Sequence, residues 1–338
     1  MKVHALCDRP SADLAAALAE FETRFTYPLG PGRSFRISHG EDYPRFFRSM
    51  GSARCFIAQD NARVIGAVSV AIRPIFLPDG TERSVAYVGD LKVDPAARGT
   101  LVFPRLAHAA LAWARPRVSA AYGIVMDGTR ASPGSYTGRV GIPSFMKIGT
   151  LAILRFPCGT GGPPVSLQGE HGRAAHATHP TTQRPLQSID RWLATPAVGQ
   201  ACYRALSRGR YASSGGSPHH RSTIVPQWLV LPDGLACGRL EDTRAAKQLF
   251  DSGGKEMLSA HLACFAGKTP RAAAELISVA RQHAAEMQFP ALFVSVSAEE
   301  FDALKAETDM TDVVVAPATI HGVGLQSSYL WNINTSEI

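Results

Sequence analysis

Apolar and polar positions in the first 156 residues switch between a helical period and a strand-like period. Helices are predicted at 11–25, where Ser11 is the candidate cap, at 43–50 and at 102–114. Strands are predicted at 55–59, 63–75, 84–93, 120–126 and 145–156, the last as a strand or a hairpin. Turn residues Asp60-Asn61 and Pro78-Asp79-Gly80 separate the first three strands. The pattern predicts antiparallel strands followed by a βαβ unit.

The same order of elements recurs between residues 187 and 338. Strands are predicted at 223–231, 235–240, 256–266, 291–296, 313–315 and 328–333. Helices are predicted near 189–193 and 198–206, at 270–284 with Thr269 as the cap, and at 298–304. The charged residues Asp242, Arg244 and Lys247 are interpreted as a solvated helix face, with substrate contact as the alternative.

The segment 157–186 has no hydrophobic period and is rich in Gly, Pro and His. It predicts a flexible linker or long surface loop between a first domain at 1–156 and a second at 187–338. The histidines of this segment and His219-His220 lack the spacing of a zinc site, so we expect no metal.

Composition narrows the class of protein. The sequence contains no run of about 18 apolar residues, so no transmembrane helix is predicted. Asp8, Asp13 and Glu20 interrupt the apolar core that a signal peptide requires. The six cysteines form no C-x-x-C pair, which is typical of a reduced protein without disulfides. We therefore expect a cytoplasmic location and no membrane partner.

The formal net charge is +7, and 28 of the 35 basic residues are Arg. A GC-rich bacterial genome would favour Arg, and an anionic partner is the functional alternative. Basic residues are spread along the chain rather than clustered, so a phosphorylated cofactor is favoured over nucleic acid, which we do not expect as a partner.

One segment carries the candidate chemistry. Residues 88–100 read VGDLKVDPAARGT and lead into the helix predicted at 102–114. The first N–H groups of a helix are unpaired and lie at its positive end, which favours an anion. The segment resembles the cofactor motif of the GNAT superfamily of N-acetyltransferases, an apolar strand ending in V-x-P-x-x-R-G before a helix. With the order of the surrounding elements, the resemblance covers about residues 1–156.

The resemblance implies how coenzyme A binds. The family's loop reads Q/R-x-x-G-x-G/A, and its backbone amides hold the pyrophosphate of acetyl-coenzyme A. Arg98 takes the first position, whereas Leu101 and Phe103 stand where the family has Gly. The implied cofactor-binding residues are Leu91, Lys92, Val93, Arg98, Gly99, Thr100, Leu101, Val102 and Phe103. If the Phe103 ring fills this turn, or if its amides bond within the chain, the cofactor prediction fails.

The resemblance also implies two proton-transfer groups, because the amine must lose a proton and the departing thiolate must gain one. Asp90 on the motif strand is the candidate base, with Glu82 as the alternative; a carboxylate that only pairs with Lys92 or Arg98 is the competing interpretation. Tyr136 lies in a stretch similar to the family's Y-x-x-x-G-F, although Gly141 stands one residue late. Tyr136 is the candidate general acid; the alternative is a partly buried aromatic side chain whose hydroxyl is hydrogen-bonded.

These features predict an α/β fold (an α+β mixed sheet) with two GNAT-like acyl-CoA N-acyltransferase domains, each a mostly antiparallel sheet with a central βαβ unit. The second lacks the R-x-x-G loop and is interpreted as degenerate. The predicted activity transfers an acyl group from acetyl-CoA or another acyl-CoA to a small-molecule or peptide amine. Two alternatives stay open: an N-acyl synthase-like enzyme using an acyl carrier protein, and a non-catalytic GNAT-fold module.

Overall fold

Residues 1–159 and 189–338 are described by the structure, a computed structural model of the 338-residue chain. The predicted linker at 157–186 falls outside these residues, except for its first three positions. The division into domains on either side of it stays a prediction.

Residues 1–159 form helices and strands close to the predicted ones. The helices are α1 Ala12–Glu22, α2 Arg45–Arg48, α3 Val102–Ala114 and α4 Pro133–Tyr136. The strands are β1 Lys2–Leu6, β2 Tyr27–Pro28, β3 Ser34–Ser38, β4 Ser52–Asp60, β5 Arg63–Phe76, β6 Glu82–Val93, β7 Ala121–Met126 and β8 Met146–Pro157. The bounds predicted for α3 are confirmed. Ser11 precedes α1 but its side chain forms no capping hydrogen bond, and β8 is one strand rather than a hairpin.

Residues 189–338 repeat the pattern. The helices are α5 Pro196–Leu206, α6 Pro270–Glu286 and α7 Ala298–Glu307. The strands are β9 Leu193–Ala194, β10 Arg210–Ser213, β11 Gln227–Val230, β12 Ala236–Glu241, β13 Gln248–Asp251, β14 Ala260–Gly267, β15 Ala291–Ser297, β16 Val314–Val323 and β17 Leu330–Asn332. Thr269 caps α6 as predicted, since its hydroxyl accepts a hydrogen bond from the Ala272 N–H at 3.2 Å. The prediction of a solvated helix face at 242–247 is wrong: the segment is a turn in which Asp242 and Lys247 are buried.

The main sheet interleaves the two halves of the chain. Its strand order is β1-β4-β5-β6-β7-β16-β8-β15-β14-β12-β11-β9. Strand β16 therefore lies between β7 and β8, and its register with β8 runs from Val314–Arg155 to Gly322–Met146. Each half supplies a strand that completes the sheet of the other half.

Two pairs of parallel strands diverge within this mostly antiparallel sheet. β6 and β7 pair only at Ala86–Ala121 and Tyr87–Tyr122, and β14 and β15 pair only at 260–292 and 261–293. The connection between the strands of each pair contains one helix, α3 or α6, so each half holds a βαβ unit. The predicted fold class, two units of mixed α/β structure with mostly antiparallel strands, is confirmed.

A second, small sheet packs beside the first and again joins the halves. Its order is β13-β3-β2, with Leu249 of β13 opposite Ile37 of β3. None of the helices in the two described ranges is long and apolar enough to cross a membrane.

A buried ionic network ties the two halves together. Arg221 and Arg239 contact the Glu241 carboxylate at 2.6 and 2.8 Å, and Arg73 of β5 contacts Glu337 at 2.7 Å. Arg221 also lies 3.4 Å from Glu337, so these five side chains form one network. Burial raises the pKa of both glutamates, but the neighbouring guanidinium groups outweigh it and lower both pKa values below the usual range.

These lowered pKa values predict how acid acts on the network. A carboxylate with a depressed native pKa contributes stability above its unfolded pKa of about 4.3 and loses it as the pH falls through the native value. We expect the difference in unfolding free energy between wild type and Glu241→Gln to be constant from pH 7 to about 5 and to shrink towards pH 2. Urea unfolding at several pH values measures it, and an unchanged difference at pH 2 contradicts this assignment.

Candidate functional site

A β-bulge lies where β6 turns away from β7. Gly89 pairs with Ser69 and Lys92 pairs with Ala67, so Asp90 and Leu91 both lie opposite Val68. The backbone φ angle of Asp90 is +54°, a left-handed conformation that is uncommon outside glycine. The bulge places this strained residue beside the opening between β6 and β7.

The opening leads into an apolar cavity of about 320 Å³. Residues on the α3 side of the sheet line one part of it: Val68, Val70, Ala86, Ala107 and Ala110. Aromatic and aliphatic residues below the other face line the rest: Phe35, Phe46, Phe47, Leu249 and Phe293. The cavity therefore passes through the sheet and is accessible to groups from both faces.

The N-terminus of α3 lies at one side of this opening with several amides available. Thr100 and Val102 donate only long hydrogen bonds of 3.4 Å to Ala97 and to the Thr100 hydroxyl. No hydrogen bond from the N–H of Gly99, Leu101 or Phe103 is found among residues 1–159 and 189–338. The amides of these three residues are therefore free to donate to an anionic group.

The Phe103 ring does not fill the turn that precedes α3. Its ring lies edge-on to the ring of Tyr136, with centroids 5.1 Å apart, and both side chains line the cavity. The ring therefore does not fill the turn, and of the amides from Gly99 to Phe103 only those of Thr100 and Val102 donate within the described residues, through long hydrogen bonds.

Asp94 fixes the loop that precedes α3. Its carboxylate accepts a hydrogen bond from the Ala96 N–H at 2.9 Å and pairs with Arg24 at 2.5 Å and Arg63 at 2.8 Å. Burial raises the pKa of Asp94, but these partners outweigh burial and lower it. The loop is thus held to the segment that follows α1 and to β5, while Arg98 is left exposed.

The predicted cofactor-binding residues divide into two groups. Arg98, Gly99, Thr100 and Leu101 are exposed along the loop. Lys92 differs, because its side chain is buried and its ammonium group contacts Asp90 at 2.6 Å. Only the backbone of Lys92 is in a position to meet a ligand in the opening.

The Asp90 carboxylate belongs to a buried cluster formed by Glu22, His39, Tyr43, Asp90 and Lys92. Besides Lys92, Asp90 accepts a hydrogen bond from the Tyr43 hydroxyl. Burial raises the pKa of Asp90, but the charges of Lys92 and His39 and these hydrogen bonds lower it below its usual value. The pairing of Asp90 with Lys92 agrees with the competing interpretation from the sequence. A carboxylate stabilised in this way is a weak base. The role of Asp90 as the base stays a prediction.

Tyr136 is brought to the same cavity as Asp90. Burial raises the pKa of its hydroxyl to about 12, so the group is protonated at neutral pH. The alternative base Glu82 begins β6, eight residues before Asp90, and its half-exposed carboxylate lies 4.0 Å from Arg204. Asp90 and Tyr136 therefore line the same cavity, whereas Glu82 is not among its lining residues.

Sequence reasoning missed three residues of the cluster, Glu22, His39 and Tyr43. His39 follows β3 and Glu22 ends α1, so only the packing of α1 and β3 against β6 brings them to Asp90. Glu22, His39 and Asp90 are residue types that bind metals, and their ligand atoms lie within 4.8 Å of one another. The Lys92 ammonium group already lies 2.6 Å from Asp90 and 3.3 Å from Glu22, so the protein supplies the cation itself and no metal is assigned.

Comparison with known proteins agrees with this geometry. Residues 17–133 match the sequence model of the acetyltransferase (GNAT) family, a stretch that includes β6, the loop, α3 and β7. A search of curated protein sequences gives no match.

Solved structures of similar fold cover nearly the whole chain. N-myristoyltransferase from Saccharomyces cerevisiae with bound myristoyl-CoA and inhibitors superposes with a TM-score of 0.56 at 12% identity, over 99% of this chain and 83% of that one. A second structure of that enzyme, with bound myristoyl-CoA, gives a TM-score of 0.54 at 12% identity, over 99% and 81%. Residues 17–133, which contain the motif strand, the loop and the helix, thus match the GNAT family model, and the whole chain shares the fold of these solved structures.

Proposed function

We propose that this protein is an N-acyltransferase that moves an acyl group from coenzyme A to a primary amine by direct attack. The observation that carries the proposal is the free amides at the start of α3 beside an opening that leads into one cavity. Arg98 and the amides from Gly99 to Phe103 would hold the diphosphate. The backbone of Leu91, Lys92 and Val93 would lie along the pantetheine arm.

The lining of the cavity favours a long acyl chain over acetyl. Its walls are built mostly from aliphatic and aromatic side chains, and small alanines of α3 leave space above β5 and β6. Each buried methylene contributes about 0.8 kcal/mol to binding. An acetyl group would leave most of this apolar surface without a partner. The two similar yeast structures contain myristoyl-CoA, which is consistent with such a donor.

Enlarging Ala110 is expected to shorten the accepted chain. Ala110 lies on α3 and lines the cavity, so Ala110→Leu would fill space on the α3 side. Each methylene excluded should lower kcat/KM by about fourfold, the equivalent of about 0.8 kcal/mol. Turnover with a series of acyl-CoA lengths measures the shift. Ala112→Leu, on the exposed face of α3, is the matched control, and an unchanged chain-length profile in Ala110→Leu contradicts this placement of the chain.

A carrier-protein donor is the second candidate, and the surface near the opening favours it. Residues 95–150 contain seven basic residues and one acidic residue. Exposed apolar side chains accompany them, with Leu101 at 63%, Val140 at 65% and Met146 at 64% exposure. His108 of α3 contacts the Val140 carbonyl oxygen at 2.7 Å and joins this loop to the helix. An acidic carrier protein would be attracted to such a surface.

Donor binding and turnover test the proposal. Coenzyme A and acyl-CoAs from two to sixteen carbons should raise the melting temperature, because a ligand that binds only the native state stabilises it. Release of free thiol with a panel of amines should then identify the reaction. Comparing acyl-CoA with an acyl carrier protein decides between the donors. No thermal shift and no thiol release with any donor would leave the non-catalytic module as the function.

A further inference from the structure

Apart from tyrosines, four titratable side chains line the cavity. They are His39, Asp90, Lys247 and His261. An amine that arrives as an ammonium ion must give a proton to one such group before its lone pair can attack a thioester. The contacts of each side chain decide which one is suited to accept it.

His39 has the arrangement of an oriented base. Its Nδ1 lies 2.6 Å from Glu22 Oε1, and its backbone N–H donates to the other carboxylate oxygen at 3.0 Å. A buried carboxylate at Nδ1 fixes the tautomer that carries its proton there and leaves Nε2 with a lone pair. No hydrogen bond to Nε2 is found within the described ranges, and the ring lines the cavity.

The charges around His39 suit the uptake of a proton. Glu22 and Asp90 are anionic, Lys92 is cationic, and Asp90 Oδ2 lies 3.8 Å from His39 Nδ1. With a neutral imidazole the cluster carries one net negative charge, which attracts an ammonium ion. After proton transfer the cluster is neutral, so the imidazolium is stabilised by two carboxylates. Tyr43 packs against the ring, and Tyr27 and Lys247 are the other titratable groups nearby.

We propose that His39 is the general base that accepts the proton of the acceptor ammonium, and that Glu22 is its positioning residue. This inference rests on the proposed function. His39 takes one proton from the ammonium group, the nitrogen attacks the thioester carbonyl, and a C–N bond replaces the C–S bond. The second proton of the nitrogen passes to the departing thiolate through Tyr136. The products are the amide, the free thiol and one proton on His39.

The other three groups are less suited to this step. Asp90 is stabilised as the anion by Lys92 and Tyr43. His261 Nδ1 lies 2.9 Å from the neutral Thr335 hydroxyl, and burial lowers its pKa well below the usual value, so it holds a proton poorly. Burial and repulsion by Arg221 lower the pKa of Lys247 to about 7, which makes Lys247 the principal rival. The amine of Lys247 donates to the Ile338 carbonyl oxygen.

The pH dependence of His39→Asn tests the assignment. Asn can keep a hydrogen bond to Glu22 but lacks the second ring nitrogen, so kcat/KM should fall about 10² to 10⁴-fold while coenzyme A binding is retained. Glu22→Gln should lower kcat/KM by less than His39→Asn does and should change the shape of the pH–rate profile, because the ring nitrogen remains but loses its carboxylate partner. Imidazole added to His39→Ala should restore part of the rate. His283→Asn is the matched control, because His283 pairs with Glu286 at 3.4 Å on α6, away from the cavity.

Each outcome is decisive. If His39→Asn turns over within about threefold of wild type, or keeps the same pH profile, His39 is not the base and Lys247 or Asp90 takes its place. Glu22→Gln with an unchanged profile would overturn the positioning role. If the wild-type protein releases no thiol with any donor, the proposed function fails and this inference fails with it. Loss of rate in His39→Asn with normal activity in His283→Asn supports the proposal.

Discussion

Glu241→Gln is expected to lower the free energy of unfolding at pH 7 by about 3–5 kcal/mol, the cost of removing one partner from a buried ion pair. The side chain keeps its shape, but Arg221 and Arg239 lose their shared negative charge inside the protein. Ser336 donates to the same carboxylate at 2.5 Å, so the segment at 334–338 is loosened as well. Urea unfolding followed by circular dichroism measures the change.

Arg244→Gln is the matched control for this prediction. Arg244 is 41% exposed and pairs with Glu256 at 2.9 Å, so solvent screens the pair and its loss should cost less than about 1 kcal/mol. Equal effects of the two substitutions would show that the buried network contributes no more than a surface ion pair.

Tyr136→Phe is expected to reduce kcat by about 10² to 10⁴-fold if its hydroxyl protonates the departing thiolate. Phenylalanine keeps the ring that lies edge-on to Phe103, so the lining of the cavity is preserved. The raised pKa keeps the wild-type hydroxyl protonated at neutral pH, as an acid must be. Single-turnover thiol release measures the rate, and a thermal shift with coenzyme A measures donor binding.

Tyr329→Phe provides the comparison for the loss of a hydroxyl. Tyr329 is 37% exposed and packs against Tyr211, so its removal should leave the rate unchanged. If Tyr136→Phe keeps the wild-type rate, Tyr136 contributes only to packing. Water would then be the group that protonates the thiolate.

Local patterns were sufficient to predict the elements around the opening. The helical period and Pro104 at the first turn gave the bounds of α3, and the turn residues gave the β4–β5 and β5–β6 hairpins. The sequence pattern predicts only a three-residue strand at 313–315 in the region of β16. In the sheet it has ten residues, since β7 and β8 pair with both of its edges.

Only part of the cluster around Asp90 can be predicted from the sequence. The motif led to Asp90 and to its partner Lys92, two residues apart on one strand. Glu22 and His39 are remote in sequence and carry no motif, so their contacts exist only once α1, β3 and β6 are packed together. The charged neighbours of Lys247 predict a solvated face, but Lys247 is buried and its amine donates to the Ile338 carbonyl oxygen.

The interleaving of β8 and β16 has a consequence for how such a protein can be divided. A fragment that ends before β16 would leave β7 and β8 with unpaired backbone groups, and such edges recruit other chains. Within the described residues, β16 pairs with β7 and β8 of the first half, and β8 pairs with β15 and β16 of the second half. We therefore expect a rearrangement that separates the halves to expose these strand edges unless another segment covers them.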